Sequence, residues 1–503
     1  MEISIDRDSS EPLHRQISER LREMILDGRL PDGFRLPSER ALSRSLRVNR
    51  GTVFNAYARL KEEGLAGAHV GRGTVVLPRR PMRQAAASYP FPWQQLLKSP
   101  ARYGDEGVVR ELQRLAADPQ TIDFAVGGPS PDLEPVDHLQ RMCAALQREA
   151  GAALLQHSPT EGLPRLRESV VEHMTSRGVP CSPAEILVTS GAQQGFDLAL
   201  RVLLEPGDAV VVEEPTYPHA LHALRYAGAR VLSVPSDEEG VRTDALESLL
   251  QRYSPRLIYT MPTFQNPSAV TMSLERRLTL LELARRFQVP VLEDDHYSVL
   301  RYEGKPLPAL RALDEHGVVV HLASLSRICY PGLRIGWVVA PRPAIRALAA
   351  AKRCADLHSS TPAQWLMDWL LRDAHLGRYL ETARAEYAAR RDEMHEALLD
   401  KAPKGLEWSK PEGGMYLWCR LPEWIDQRQL MAESARRHVS FLPGSICYAG
   451  EPAQNAIRLS FTTLPRELIR EGVGRLMGAL RACQPASRSD GAALEALDTV
   501  ALL

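Results

Sequence analysis

The stretch SLSRICYPGLRIGW, residues 324–337, carries two arginines seven positions apart, and the second, Arg334, suits a phosphate held through two parallel N–H bonds. Ser190-Gly191-Ala192 lies where a β-branched run gives way to a helical one, so backbone N–H groups at a helix start face the same kind of anion. Tyr217, in Pro-Thr-Tyr-Pro, offers a ring for stacking on a pyridine, and Asn266, before Pro267, offers an amide to a phenolic oxygen. Asp294, near the end of the acidic run in PVLEDDHYSVL, is the carboxylate that keeps a pyridine nitrogen protonated and the ring electron-withdrawing. Arg458, in AIRLSF, suits a carboxylate. Singly these are also a core tyrosine, a turn and a strand cap; jointly they describe a pocket for a phosphorylated heterocycle and an acid. Arg327 stands apart, because a guanidinium stays protonated and delocalised and has no free amine to attack an aldehyde.

A sheet must hold these residues. Runs at 186–189, 209–212, 230–234, 257–260, 289–293, 318–322 and 335–339 alternate with helical stretches, which predicts an α/β domain with helices on both faces and binding residues in loops at strand ends. From about Pro362 to Leu399 a long helical periodicity, rich in Arg and Glu, suits a helix joining this large domain to a smaller α/β domain that ends near Cys483. Residues 484–503 read as a solvated tail.

The first eighty residues differ in character. They hold 15 Arg and Lys against 11 Asp and Glu, a net +4 within a chain whose 62 basic and 62 acidic residues cancel. A basic leading segment points toward nucleic acid. Helical spacing of Leu13, Ile17, Leu21, Met24 and Ile25 predicts a first helix over 11–26; Ser38 caps a second with Ala41, Leu42 and Leu46 inward. Asn49 caps a third, with Val53, Tyr57 and Leu60 inward and Arg50, Thr52 and Asn55 outward. Two short helices across a tight turn make a helix-turn-helix, and Gly71-Arg72-Gly73 between apolar runs suits the tip of a two-stranded wing. A small helical domain with a solvated basic face is the alternative on charge alone. Residues 78–105, rich in Pro, Arg and Ala, read as a tether.

Length and composition are those of a large globular protein of roughly three domains. The seven cysteines are scattered, with no CxxC pair, against both a disulfide framework and a metal site. No apolar run reaches the roughly 18 residues of a membrane helix. A cytoplasmic protein without a membrane partner is expected.

LPSERALSRSLRVNRGTVFNAYARL resembles the GntR-type winged helix-turn-helix, which implies an operator in double-stranded DNA touched by Arg40, Asn49, Arg50 and Thr52, with Gly71 and Arg72 in the wing. The order and spacing of the pocket residues resemble the fold type I aminotransferases over most of the remaining chain. The combination resembles the MocR family of regulators: a winged helix-turn-helix (1–77), a linker (78–105) and an aminotransferase-like domain (106–483). The resemblance implies pyridoxal 5'-phosphate held by Ser190, Gly191, Ala192, Tyr217, Asn266, Asp294, Ser324 and Arg334, an effector carboxylate on Arg458, and a homodimer. It also exposes two departures. Arg327 stands where the family has the lysine that binds the cofactor covalently, and EDDHY replaces EDDY, so His296 and Tyr297 both become candidates for the cofactor's phenolic oxygen, with Tyr297 preferred.

Without that lysine, noncovalent cofactor binding and no turnover are expected of a regulator that senses an amino-acid or vitamin B6-type effector. The alternative is an aminotransferase with an accessory DNA-binding domain, although none of the chain's seven lysines falls in a recognised pocket motif. A third reading has the pocket holding another anion or nothing.

Overall fold

Ser38 and Asn49 do the capping that their positions predict, and with it they set the geometry of the amino-terminal unit. The computed structural model describes residues 3–7, 9, 11–69, 73–77, 106–133 and 136–483. The chain divides into two compact units, Met1–Leu96 and Leu97–Leu503. In the first, helix α1 (Leu13–Leu26) starts two residues later than its periodicity suggests, behind Pro12, and buries Ile17, Leu21 and Ile25. The Ser38 hydroxyl accepts from the Ala41 N–H at the start of α2 (Glu39–Leu46), and the Asn49 side chain accepts from the Gly51 N–H at the start of α3 (Arg50–Glu62). Arg47, in the left-handed conformation at φ 52°, makes the turn between them short.

Val53, Tyr57 and Leu60 of α3 are buried as expected, and the Tyr57 hydroxyl donates to the Pro37 carbonyl at 2.8 Å. Arg50 and Asn55 are exposed and Thr52 half-buried. Ala41 departs from its assignment to the apolar face; Leu42 is the buried residue of α2. Strands β1 (Ala66–His69) and β2 (Gly73–Val76) form the antiparallel wing, with Ala66 opposite Val76. Gly71 and Arg72 at its tip, the tether 78–105 and the tail 484–503 lie outside the described residues.

In the second unit the helix Glu106–Ala116 precedes β3 (Ile122–Asp123), and an eight-stranded mixed sheet follows from β4 (Ile186–Thr189), β5 (Ala209–Glu214), β6 (Arg230–Asp237), β7 (Gly240–Val241), β8 (Leu257–Thr260), β9 (Val291–Asp295), β10 (Val319–Ser324) and β11 (Gly336–Val339). Their order is β4-β11-β10-β9-β8-β5-β6-β7. Strands β10, β9, β8, β5 and β6 run parallel, whereas β11 is antiparallel to both β10 and β4. Each predicted run became one of these strands. Strand β9 runs two residues beyond its expected end because Asp294 and Asp295 are buried with partners: the Asp294 carboxylate accepts from the Tyr259 hydroxyl and that of Asp295 from the Ser298 N–H.

The long helical stretch is two helices, Thr361–Arg372 and Ala374–Lys401, since Asp373 accepts from the His375 N–H and caps a new start. Beyond them β12 (Glu407–Trp408), β13 (Tyr416–Arg420), β14 (Val439–Ser440), β15 (Leu442–Pro443) and β16 (Ala456–Ser460) follow. Four of these form an antiparallel sheet in the order β12-β13-β16-β15, while β14 pairs in parallel with β3. The helix Arg466–Ala482 then closes the described chain at Cys483.

Replacing Ser38 by Ala removes the acceptor for the first turn of α2 and should cost about 1 kcal/mol. Hydrogen exchange at the amides of α2 and α3 would rise by the corresponding factor of about five, with the second unit unchanged.

Candidate functional site

Strand ends on one edge of the large sheet bring the predicted residues together. A cavity of about 200 Å³ is lined by Ala192, Tyr217, Asp294, Ser324, Arg327 and Arg334 among others. Gly191 turns the chain at φ +84° into the helix Ala192–Leu203, and a Cβ there would sit 2.5 Å from an Arg334 nitrogen, so only glycine lets the guanidinium lie against the helix start. Ser324, at the end of β10, donates to the Ile335 carbonyl at 3.0 Å and fixes the loop that carries Arg327. Tyr379 fixes it from the other side by donating to the Ile328 carbonyl at 2.7 Å.

Asp294 is buried. Its Oδ2 accepts from the Tyr259 hydroxyl at 2.9 Å, while Oδ1 has no aligned hydrogen bond and lies 2.7 Å from His296 Nε2. Asn266 is fully buried; its Oδ1 accepts from Arg458 at 2.7 Å, and its Nδ2 has no partner among the described residues. The buried Asn266 amide has no partner among the described residues, and Asp294 Oδ1 has only its contact with His296; an unmet buried donor is costly unless a ligand meets it. Phosphate-facing helix start, guanidinium, stacking ring, carboxylate and amide therefore fit pyridoxal phosphate. Two predicted residues sit differently. Ser190 turns behind the cup, where its hydroxyl lies 3.2 Å from Asp356 Oδ2 and from the Ser359 hydroxyl. Tyr297 is buried with its hydroxyl 3.4 Å from that of Tyr416, whereas His296 reaches the cavity wall.

Arg327 donates to the Gly127 carbonyl at 2.7 Å and to the Tyr217 hydroxyl at 3.2 Å. The phenol of Tyr297, then those of Tyr416 and Tyr217, holds its pKa above the ordinary guanidinium value against the effect of burial. It also lines a second cavity, of about 280 Å³, which Arg458 lines as well. Arg458 donates to Asn266 and, at 2.6 Å, to the Ala125 carbonyl, and its guanidinium stacks 4.0 Å above the Tyr416 ring. Burial alone would raise the Tyr416 phenol, but Arg458 and then Arg327 bring it below its usual value.

Tyr259, Tyr416 and Gly127 were not legible as site residues: both tyrosines sit in strands and read as core, and Gly127 acts through its carbonyl. Gly127 is nonetheless constrained, since a Cβ there would meet the Tyr416 hydroxyl at 2.3 Å. Behind the cup the buried Lys352 ammonium is paired to Asp356 at 2.7 Å and to Gln194 at 3.0 Å, so that lysine is committed to structure.

A winged helix-turn-helix and an aminotransferase fold on one chain define a transcription regulator with an aminotransferase-like domain. Residues 13–76 match the family described as bacterial regulatory proteins, gntR family, and residues 119–476 match aminotransferase class I and II. The HTH-type transcriptional regulator YisV of Bacillus subtilis is 33% identical over 91% of this chain and 93% of its own. The probable rhizopine catabolism regulatory protein MocR of Rhizobium meliloti is 29% identical over 96% of each. Among solved structures, the multiple substrate aminotransferase of Thermococcus profundus superposes with a TM-score of 0.74 at 36% identity, covering 78% of this chain and 99% of that one. The chain belongs to the MocR-type regulators of the GntR family, with a class I and II aminotransferase domain.

Glu213 ties two of the site's loops together. Its Oε1 accepts from the Thr260 hydroxyl at 2.5 Å and the Met261 N–H at 2.7 Å, joining the ends of β5 and β8 that lead to Tyr217 and Asn266. Burial pushes its pKa from 4.5 up to about 7, with those hydrogen bonds opposing. As pH rises from the unfolded value through about 7, the unfolded chain releases its proton first, and folding stability falls. Glu213→Gln should therefore gain stability over the wild type at about pH 8, by up to roughly 3 kcal/mol, and little at about pH 4, as urea unfolding at the two values would measure.

Proposed function

We propose that the protein regulates transcription as a cytoplasmic homodimer: the amino-terminal unit binds an operator, and the large unit holds pyridoxal phosphate without a covalent link and senses an amino-acid or vitamin B6-type effector. The observation that carries this reading is Arg327, a permanently charged group in the midst of an otherwise fitting cofactor pocket. Arg334 and the N–H groups of Ala192 and Gln193 hold the phosphate, Asp294 accepts from the ring N–H, and the Asn266 amide donates to the phenolic oxygen. When bound, the cofactor supplies an electron-withdrawing ring and an aldehyde. Arg327 supports the ring's surroundings with charge but has no lone pair to give or proton to move, so turnover is not part of the role. A sensor needs only different affinities for the ligand in two arrangements.

On the DNA side, Asn49, Arg50 and Thr52 lie at the start of α3, the element that enters the major groove in such folds, and Arg40 lies at the start of α2. Arg50 is paired at 3.1 Å with Glu39, and its side chain is 58% exposed. An exposed pair of this kind contributes little to stability, so the guanidinium is free to exchange Glu39 for a DNA phosphate or base. Arg50→Ala should weaken operator binding about tenfold while leaving the fold intact. Fluorescence anisotropy on a duplex selected from genomic fragments tests this; unchanged affinity across a salt series would remove Arg50 from the interface.

Arg327→Lys returns an amine to the cofactor-facing loop. Wild-type protein incubated with pyridoxal phosphate and then borohydride should carry no pyridoxyl mass, and the variant should carry it on residue 327. A labelled wild-type chain would overturn the noncovalent reading.

A further inference from the structure

The second cavity has an electrostatic imbalance of its own. Two guanidiniums, Arg327 and Arg458, line it, and no Asp or Glu does. Neither arginine has a carboxylate within ion-pair distance among the described residues; their partners are two carbonyls, an amide oxygen and a phenol. Arg458 is 5% exposed, and its Nε is buried without any partner. A buried cation lacking a counter-ion costs several kcal/mol, and two sharing one cavity cost more. The surroundings register the strain: His219, on the same wall, is held below its ordinary pKa by burial, then by Arg327.

The two charges are seated on neighbouring stretches of one chain: they donate to the carbonyls of Ala125 and Gly127, two residues apart, on a backbone that keeps those residues within about 7 Å even when fully extended. Leu112, Ala116, Leu442 and Ile446 give the same cavity an apolar part, beside the polar Gln113, His219 and His222.

We infer that this cavity binds a small dianion, a dicarboxylic acid with a short apolar middle, and that Arg327 is its second anchor. Arg458 takes one carboxylate and Arg327 the other, each as a charge-assisted hydrogen bond. The inference deepens the reading of the large unit as a sensor and rests on it. It also separates ligand from substrate: with no amine at residue 327, nothing at that position requires the ligand to carry an amino group.

The test uses full-length protein freed of pyridoxal phosphate, so that its outcome does not depend on whether the cofactor binds. Glutarate and valerate are titrated by calorimetry; they share five carbons and differ by one carboxylate. Wild type should prefer glutarate by about tenfold or more. Arg327→Gln should bring the two acids to within about twofold of each other while leaving valerate affinity nearly unchanged, and Arg458→Gln should weaken both. Arg327→Lys, which keeps a point charge, should retain part of the preference and guards against a Gln variant that misfolds. Equal affinities in the wild type, a preference that survives in Arg327→Gln, or no binding of either acid would overturn the inference.

Discussion

The Arg458 guanidinium sits over the Tyr416 ring while its terminal nitrogens reach Asn266 and Ala125, and the residues of both cavities are tied together through that contact. Strand pairing creates it: β13 and β16 run antiparallel with Tyr416 opposite Ser460 and Trp418 opposite Arg458, so the two side chains emerge diagonally on one face. Tyr416 in turn must pass close to the backbone at Gly127, and the carbonyl there is the one Arg327 uses. Asn266 is oriented by giving its oxygen to Arg458, which leaves its buried amide without a partner among the described residues. One cation thus joins an amide, a phenol and the segment that also seats a second cation.

Such packing explains how the scaffold tolerates arginine at residue 327. A lysine ammonium would be a compact, strongly hydrated charge there, with a nucleophilic neutral form. The planar guanidinium instead spreads its charge among three phenols and a carbonyl, and it never deprotonates. Its charge becomes a fixed property of the cavity rather than a group that takes part in proton transfer.

Much of the fold was legible because strands on a doubly covered sheet are continuous apolar runs, and capping residues announce helix starts. The acidic strand ends were harder: Asp294 could be placed at a strand end, but only the tertiary partners of buried carboxylates explain why the strand runs on through Asp295. The break at Asp373 was invisible to periodicity because both helices share one apolar spacing across it. In the site, side chains with a charge or a distinctive neighbour, such as Arg334, Asp294 and Arg458, could be picked out. Tyr259 and Tyr416 could not, since a strand tyrosine looks the same whether its hydroxyl meets a ligand-binding carboxylate or a core water.

The segment from Ile122 to Gly128 carries a different kind of information. It is sewn to the carboxy-terminal strands by main-chain bonds, Ile122 and Phe124 donating to His438 and Ser440 and the Phe124 carbonyl accepting from Ser460. Its next carbonyls, at Ala125, Gly127 and Gly128, accept from Arg458, Arg327 and Thr462. Recognition there is written in peptide oxygens, which every residue type possesses. Ile122 and Phe124 are held by the core and Gly127 by the Tyr416 hydroxyl, but the oxygens that seat the two arginines would survive a change of side chain at 126, so likeness at that position says nothing of a shared ligand.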